Sequence, residues 1–316
     1  MAGRSHGAHQ CRQVTPATAG GTTIMAETLE NPDMLQQQES AWQFQPLREQ
    51  DLPRAHALSV AARWPHRLED WAFCLALGEG LAVWEQDALV GVALRWRYAH
   101  GMTIGLIIVA DTHRGRGMAS QMVEKLLADC ASEPVLLHAT PAGAGVYARQ
   151  GFVPAGQVLQ MQGEPAPVTP VVVAGQIAEL ADASALREAI ALDDGATGMG
   201  RAALLQALAS AGRMVGLYRD GRLQAYAVVR LFGRGQVIGP VIAPDRDCAL
   251  ALIDTLLAEA GPGLVRIDIP ETSGLQTALL ARGLQQVDTV AVMAKGAWPI
   301  PAGGSSRFAL ASQALA

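Results

Sequence analysis

Apolar positions along this chain change period several times, and each change marks an element. "WQFQPLRE" (42–49) alternates and reads as a short strand. Two stretches, 51–64 and 67–78, carry apolar residues at helical spacing, with Trp64, Leu68, Trp71 and Leu75 on one stripe. "GLAVWEQDALVGVALRWRY" (80–98) alternates on either side of Gln86-Asp87, the pattern of a hairpin. "MTIGLIIVA" (102–110) is almost continuously apolar, as expected of a strand buried on both faces. A glycine- and arginine-rich turn follows, and then Met118, Met122, Val123, Leu126 and Leu127 fall on one helical face. "PVLLHAT" reads as a strand, "PAGAGVYARQG" as a short helix ended by Gly151, and "FVPAGQVLQM" as a further strand.

The outline then repeats. "GRMVGLYRDGRLQAYAVVRLF" is a hairpin turning at Asp220-Gly221, and "GQVIGPVIA" is an apolar strand. "DCALALIDTLLAEAG" is a helix burying Leu252, Ile253, Leu256 and Leu257, "LVRIDIP" a strand and "GLQTALLARGL" a helix ending at Gly283. "EKLLADC" against "DTLLAEA", and "YARQGF" against "LARGL", carry the residue-level similarity. This is the layout of a duplicated α/β (α+β) domain. "GEPAPVTP" (163–170), with three prolines in eight residues, marks the linker. The expected organisation is an N-terminal extension at 1–41, a domain at 42–163, a linker at 164–170, a second domain at 171–298 and a loose tail at 299–316. The extension has no apolar core of a signal peptide, and its polar composition predicts disorder. Met25, opening "MAETLENPDM", would serve as a start, which makes 1–24 upstream sequence.

Composition narrows the classes. The chain has 316 residues, half of them apolar, enough for two packed cores. No apolar run reaches the roughly 18 to 20 residues of a membrane span. A net charge of −5 with both signs interspersed gives no electrostatic case for nucleic acid. Four isolated cysteines (Cys11, Cys74, Cys130 and Cys248) form no CxxC pair and fit a reducing cytoplasm. The seven histidines are scattered without an HExxH, so no metal site is expected. No GxSxG elbow supports a covalent serine route.

The turn in "VADTHRGRGMASQMVEKLL" (109–127) carries the strongest chemical signal. A loop from a buried strand into a helix leaves several backbone N–H groups without intrahelical partners. Glycine permits positive φ and close approach of a ligand, and the helix dipole favours an anion there. Arg114 and Arg116 add charged donors. The loop therefore reads as a phosphate cradle, or as an ordinary tight turn with solvated arginines. It is not a Walker loop, and Gly115-x-Gly117 fails to complete GxGxxG because residue 120 is serine. A second match, Gly198-Met-Gly200-Arg-Ala-Ala203, reads as a loop entering a helix.

Arg114-Gly115-Arg116-Gly117-Met118-Ala119 is similar to the (Arg/Gln)-x-x-Gly-x-(Gly/Ala) signature of the GNAT, or GCN5-related N-acetyltransferase, superfamily. "LIIVADTH" resembles that family's fourth strand, and "VYARQGFVP", about thirty residues on, resembles its "lYxxxGF" segment. The resemblance covers roughly 42–163. It implies a mixed, mostly antiparallel sheet flanked by helices, whose middle strands splay to admit the pantetheine arm of acetyl-CoA. It further implies that backbone groups of Ile108 and Val109 pair with pantetheine and that amides of Arg114, Gly115, Arg116, Gly117, Met118 and Ala119 cradle the pyrophosphate. Tyr147 would then sit beside the thioester sulfur as the catalytic acid. Two positions depart from the pattern: Asp111 puts an acid near the phosphates where proline is frequent, and His138 stands where comparable tandem proteins often carry aspartate.

The second half has the outline without the chemistry. "APDRDCA" (243–249) is three residues shorter than "ADTHRGRGMA", lacks glycine and places Asp245 and Asp247 where phosphates would lie. Leu279 takes the tyrosine position. The chain thus resembles bacterial tandem-GNAT proteins with a degenerate C-terminal domain. That implies a cytoplasmic N-acetyltransferase using acetyl-CoA, without a metal, on a small amine of the amino-acid or polyamine type. Membrane and nucleic-acid partners are not expected, and monomer and homodimer both stay open. A protein N-acetyltransferase and a non-catalytic CoA-sensing or protein-interaction module are the alternatives. The base is not readable: His100, Glu69 and Asp70 are candidates that read equally as solvated surface residues, and His138 reads as a half-buried core histidine.

Overall fold

Both hairpins form where the period-2 pattern places them, around Gln86-Asp87 and Asp220-Gly221, with Gln86, Asp220 and Gly221 at positive φ as such turns require. The computed structural model describes residues 42–130, 133–180 and 182–316. The expected disorder at 1–41 lies outside them.

The first half runs β1 (Trp42–Pro46), α1 (Leu52–Ala61), α2 (Leu68–Leu77), β2 (Glu79–Glu85), β3 (Ala88–Tyr98), β4 (Gly101–Val109), α3 (Met118–Leu127), β5 (Val135–Ala139), α4 (Pro141–Arg149) and β6 (Val153–Gly163). The second half runs β7 (Gln176–Glu179), α5 (Ala183–Thr197), α6 (Ala202–Ala211), β8 (Gly212–Arg219), β9 (Arg222–Phe232), β10 (Gly235–Ala243), α7 (Arg246–Glu259), β11 (Val265–Pro270), α8 (Gln276–Leu280), β12 (Gln285–Lys295) and β13 (Ser306–Ala309). No pattern in the sequence announces β7, α5 or β12, whereas α6 begins at Ala202 where the Gly198–Gly200 loop was expected to enter a helix. It also extended α1 too far: Arg63 takes a left-handed φ of 60°, which ends the helix before Trp64.

All of these strands belong to one 13-stranded sheet, in the order β1-β2-β3-β4-β5-β12-β6-β11-β10-β9-β8-β7, with β13 paired to β10. The order shows an exchange. β12, the second half's last long strand, pairs with β5 of the first half (Ala291 opposite Ala139, Lys295 opposite Val135). β6, the first half's last strand, pairs with β11 of the second (Val265 opposite Gly163, Pro270 opposite Val158). β6 and β12 are antiparallel to each other in the centre. Each half is thus closed by the other's strand.

Three apolar layers hold the sheet. One packs α3 and α4 on the first half through Met118, Met122, Leu137 and Phe152. Another packs α7 on the second half through Leu252, Ile253, Leu256 and Ile267. The third is shared: Trp71 and Trp96 of the first half join Leu204, Leu205 and Tyr226 of the second. Inside it Asp193 receives two hydrogen bonds from Arg201, at 2.6 and 3.0 Å, and one from the Tyr226 hydroxyl at 2.6 Å.

The tail is a correction. It was expected to be loose after Trp298, but β13 pairs with β10, and Phe308, Leu310, Ala311, Leu315 and Ala316 are buried. The alternation in "RFALA" is a strand signal, obscured by the flexible "AGGSS" before it.

Candidate active site

β4 and β5 run parallel and pair only at Met102–Val135, Thr103–Leu136 and Ile104–Leu137. Beyond Gly105 they part. A bulge there shifts the β3–β4 register between Val92 and Leu94, and Leu106 adopts φ 51°, uncommon for a branched side chain. The bulge resets the alternation: Met102, Ile104, Ile107 and Val109 face α3, whereas Leu106 and Ile108 face the shared core. Ile108 and Val109 keep their β3 partners, Val92 and Gly91. The edge of this segment away from β3 has no strand partner among the described residues, which leaves main-chain groups on one wall of a cleft, the Val109 carbonyl there accepting from Arg114 Nε at 3.4 Å.

The cleft runs into the glycine turn. After a single 3-10 turn, Asp111–His113, the chain passes through Gly115 (φ 76°) and Gly117 (φ 83°) into α3. A Cβ at either glycine would meet nothing within 4 Å, so the space before the helix N-terminus is open. Among the described residues, the amides of Gly115, Arg116 and Gly117 have no protein acceptor. Arg114 through Gly117 are exposed, Ala119 is half-buried, and the Met118 side chain anchors α3 beneath β3. Asp111 does not simply oppose an anion: its carboxylate pairs with Arg114 at 2.8 Å. Arg116 lies over the Trp42 ring at 5.1 Å. An open, amide-lined turn at a helix N-terminus fits the pyrophosphate of a coenzyme-A thioester.

Tyr147 sits on α4, edge-on to Phe152 at 6.3 Å. Gly143 makes room for its ring, since a Cβ there would come within 2.9 Å of the aromatic carbons. Burial among Met118, Met122 and Phe152 pushes its hydroxyl up to about 12, so it stays a proton donor at neutral pH.

On the opposite face of the cleft lies a cavity of about 340 Å³, lined by Gly105 and Leu106 of β4, His138 of β5, Phe232 and Arg266 from the second half, and Gln313 of the tail. His66 also lines it, and burial lowers its imidazole to about 4. His138 is lowered to about 4 as well, by burial first and then by the Arg307 guanidinium. The other base candidates fall away from this cavity. Asp70 is buried and structural, accepting from the Arg67 and Gly233 amides at 2.9 Å each. Glu69 and His100 are exposed and line no part of it.

The corresponding place in the second half is filled. β10 and β11 pair only at Gln236–Val265 and Val237–Arg266 before parting. β13 enters that gap, Val241 opposite Ala309 and Ala243 opposite Ser306, and the Leu310 amide donates to the Asp268 carbonyl of β11 at 2.8 Å. At the helix N-terminus, Asp245 accepts from the Cys248 amide at 2.8 Å. Leu279 is fully buried in the core.

Comparison with known proteins finds a match in each half. One family model described as "Acetyltransferase (GNAT) domain" matches residues 75–166, and a second with the same description matches 189–309. The uncharacterized N-acetyltransferase YitH of Bacillus subtilis is 29% identical over 219 residues, covering 67% of this chain and 76% of that protein. A putative acetyltransferase from Pyrococcus horikoshii superposes with a TM-score of 0.74 at 19% identity, over 88% of this chain and 96% of its own. A tandem GNAT protein from the clavulanic acid biosynthesis pathway does so with a TM-score of 0.61 at 15% identity, over 82% and 99%. These two share the fold with this chain.

Proposed function

Because this chain belongs to the GNAT acetyltransferases, as a tandem member and an acyltransferase, we propose that its first half moves an acetyl group from acetyl-CoA to the amine of a small molecule. The observation that carries this reading is the open β4–β5 cleft ending at the glycine turn, beside a second cleft of the same design that the chain itself fills. Acetyl-CoA supplies an activated acyl group as a thioester. Ile108 and Val109 would bind its pantetheine arm with main-chain groups, and the amides of Arg114 through Ala119 its pyrophosphate. Backbone donors on the unpaired edge of β4 would polarise the thioester carbonyl. Tyr147, kept protonated by burial, would donate to the departing sulfur.

The acceptor side would be a partly open cavity of about 340 Å³, a size that suits a small molecule. The buried Cys74 and Cys248 are free thiols, in keeping with a reducing compartment such as the cytoplasm.

Thermal-shift titration with acetyl-CoA, CoA and ATP, followed by a mass-detected screen of primary amines, tests the proposal. Stabilisation by acetyl-CoA and transfer to an amine are expected, and Tyr147→Phe should lose about 10²-fold in kcat while still binding acetyl-CoA. Stabilisation by ATP alone would overturn the donor. Acetyl-CoA binding without transfer, indifferent to Tyr147→Phe, would favour a CoA-sensing module.

A further inference from the structure

The cavity beside the cleft holds an unassigned proton acceptor. His138 continues β5 where the strands part: Ile104 pairs with Leu137, so Gly105 and His138 are the next positions in register and flank the opening. Leu137 and Ala139 point toward α3 and α4, which turns His138 to the other face, into the cavity. There the tail meets it. The His138 Nδ1 lies 2.6 Å from the Gln313 backbone carbonyl, and Ala314 packs against Gly105. A carbonyl only accepts, so Nδ1 carries the hydrogen, and the neutral ring must present a bare lone pair at Nε2. Nε2 is buried and has no partner among the described residues. An imidazole fixed by a hydrogen bond at one nitrogen, with the other an unmet acceptor in the wall of a cavity at the mouth of the acyl cleft, has the arrangement of a general base that an entering amine's N–H would engage.

Resting on the acetyltransferase reading above, we propose that His138 Nε2 accepts the acceptor amine's N–H and takes its proton as the acyl bond forms, with the tail's Gln313 carbonyl fixing the tautomer. The amine lone pair forms the C–N bond, and the C–S bond breaks with its electron pair passing to sulfur. The amine proton moves to Nε2 and leaves through the cavity to solvent once the product departs, while the thiolate takes a proton from Tyr147, which water restores. Burial and Arg307 keep His138 unprotonated at neutral pH, so Nε2 carries a lone pair for an amine that reaches it. They also make the imidazolium short-lived, which favours its discharge. The other charged groups at the cavity are Arg63, Arg234, Arg266 and Asp288, with His66 neutral, and Arg266 is paired with Asp268 at 2.8 Å. The tail is then part of the acceptor site, with Gln313 as a positioning residue through its main chain.

Two measurements on the full chain test this. In ¹⁵N spectra of histidine-labelled protein, His138 should hold the Nδ1–H tautomer unchanged from pH 5.5 to 8.5. An Nε2–H tautomer overturns the proposal, and this readout needs no acceptor. The second uses the primary amine with the highest turnover in a panel of amino acids and polyamines. His138→Asn keeps a donor for the Gln313 carbonyl but removes Nε2. It should lower kcat about 10²-fold or more with the KM for acetyl-CoA and the melting temperature unchanged. Wild-type kcat in that variant overturns the proposal. If wild type acetylates none of the panel while the tautomer is as expected, the failure lies in the acetyltransferase reading and not in the placement of Nε2.

Discussion

The two halves build the same gap between parallel strands and treat it in opposite ways. In the first, β4 and β5 part at Gly105 and leave an edge of main chain facing a glycine turn. In the second, β10 and β11 part after Val237, and β13 supplies the missing backbone partners from the chain itself. An unpaired strand edge buried in protein is costly unless water, a ligand or another segment satisfies it. The first half leaves its edge without a strand partner among the described residues, and the second covers its edge with the tail. The glycine-free turn "APDRDCA" and the occupation of the gap by the tail go together: the half without an open turn has its strand gap filled as core.

The comparison can be broken most directly at the plug. Leu310 is fully buried between β10 and β11, and Leu310→Ala should lower the unfolding free energy by about 2–5 kcal/mol in urea titrations. A loss below about 1 kcal/mol would show that the tail is not integral to the second half.

The open side should also be the acid-sensitive side, since two half-buried histidines with lowered pKa values line its cavity. His66 has a folded value of about 4 against an ordinary 6.5. Between those limits the unfolded chain binds a proton that the folded chain refuses, so stability falls as pH drops from 6.5 toward 4. The effect is on the order of 3 kcal/mol across that window. His66→Phe should flatten the slope of the urea midpoint against pH there, and an unchanged slope would show that His66 ionises freely in the folded protein.

At the donor turn, Gly117→Val forces a branched side chain into φ 83° and into the open space before α3. A roughly tenfold or greater loss of acetyl-CoA affinity by calorimetry is expected, from strain of about 1–2 kcal/mol together with obstruction. Undiminished affinity would place the pyrophosphate elsewhere. The smallest effect should come from the other half: Asp245→Ala with Asp247→Ala removes the Cys248 cap at a cost of about 1 kcal/mol in stability and leaves acetyl-CoA affinity unchanged. A large loss of affinity would mean that the ligand binds in the second half.

Most of the strands were legible because their signals are local. The hairpins follow from alternation around Asp220-Gly221, and the continuous run 102–110 announced a strand buried on both faces. The open glycine turn was legible for the same reason: its glycines, arginines and helix start lie within a few residues. His138 was not. On sequence alone it is one histidine in a strand, and what distinguishes it is a carbonyl 175 residues later, on a segment whose GGSS approach reads as a loose tail. The strand exchange was equally hidden. β6 and β12 each follow a helix that ends at a glycine, Gly151 and Gly283, so nothing local states which half either strand closes.

That exchange has a consequence for how the protein is made. When the ribosome has delivered residues up to the linker, β5 still lacks its outer neighbour, which will not exist until 285–295 emerge, and β6 has no β11 to join. Neither half can finish as a module in its turn, so the nascent chain carries an open sheet edge from the completion of β5 until β12 emerges. Gene fragments ending between the halves should therefore yield products that seek each other, or a second copy, to supply the strand they miss.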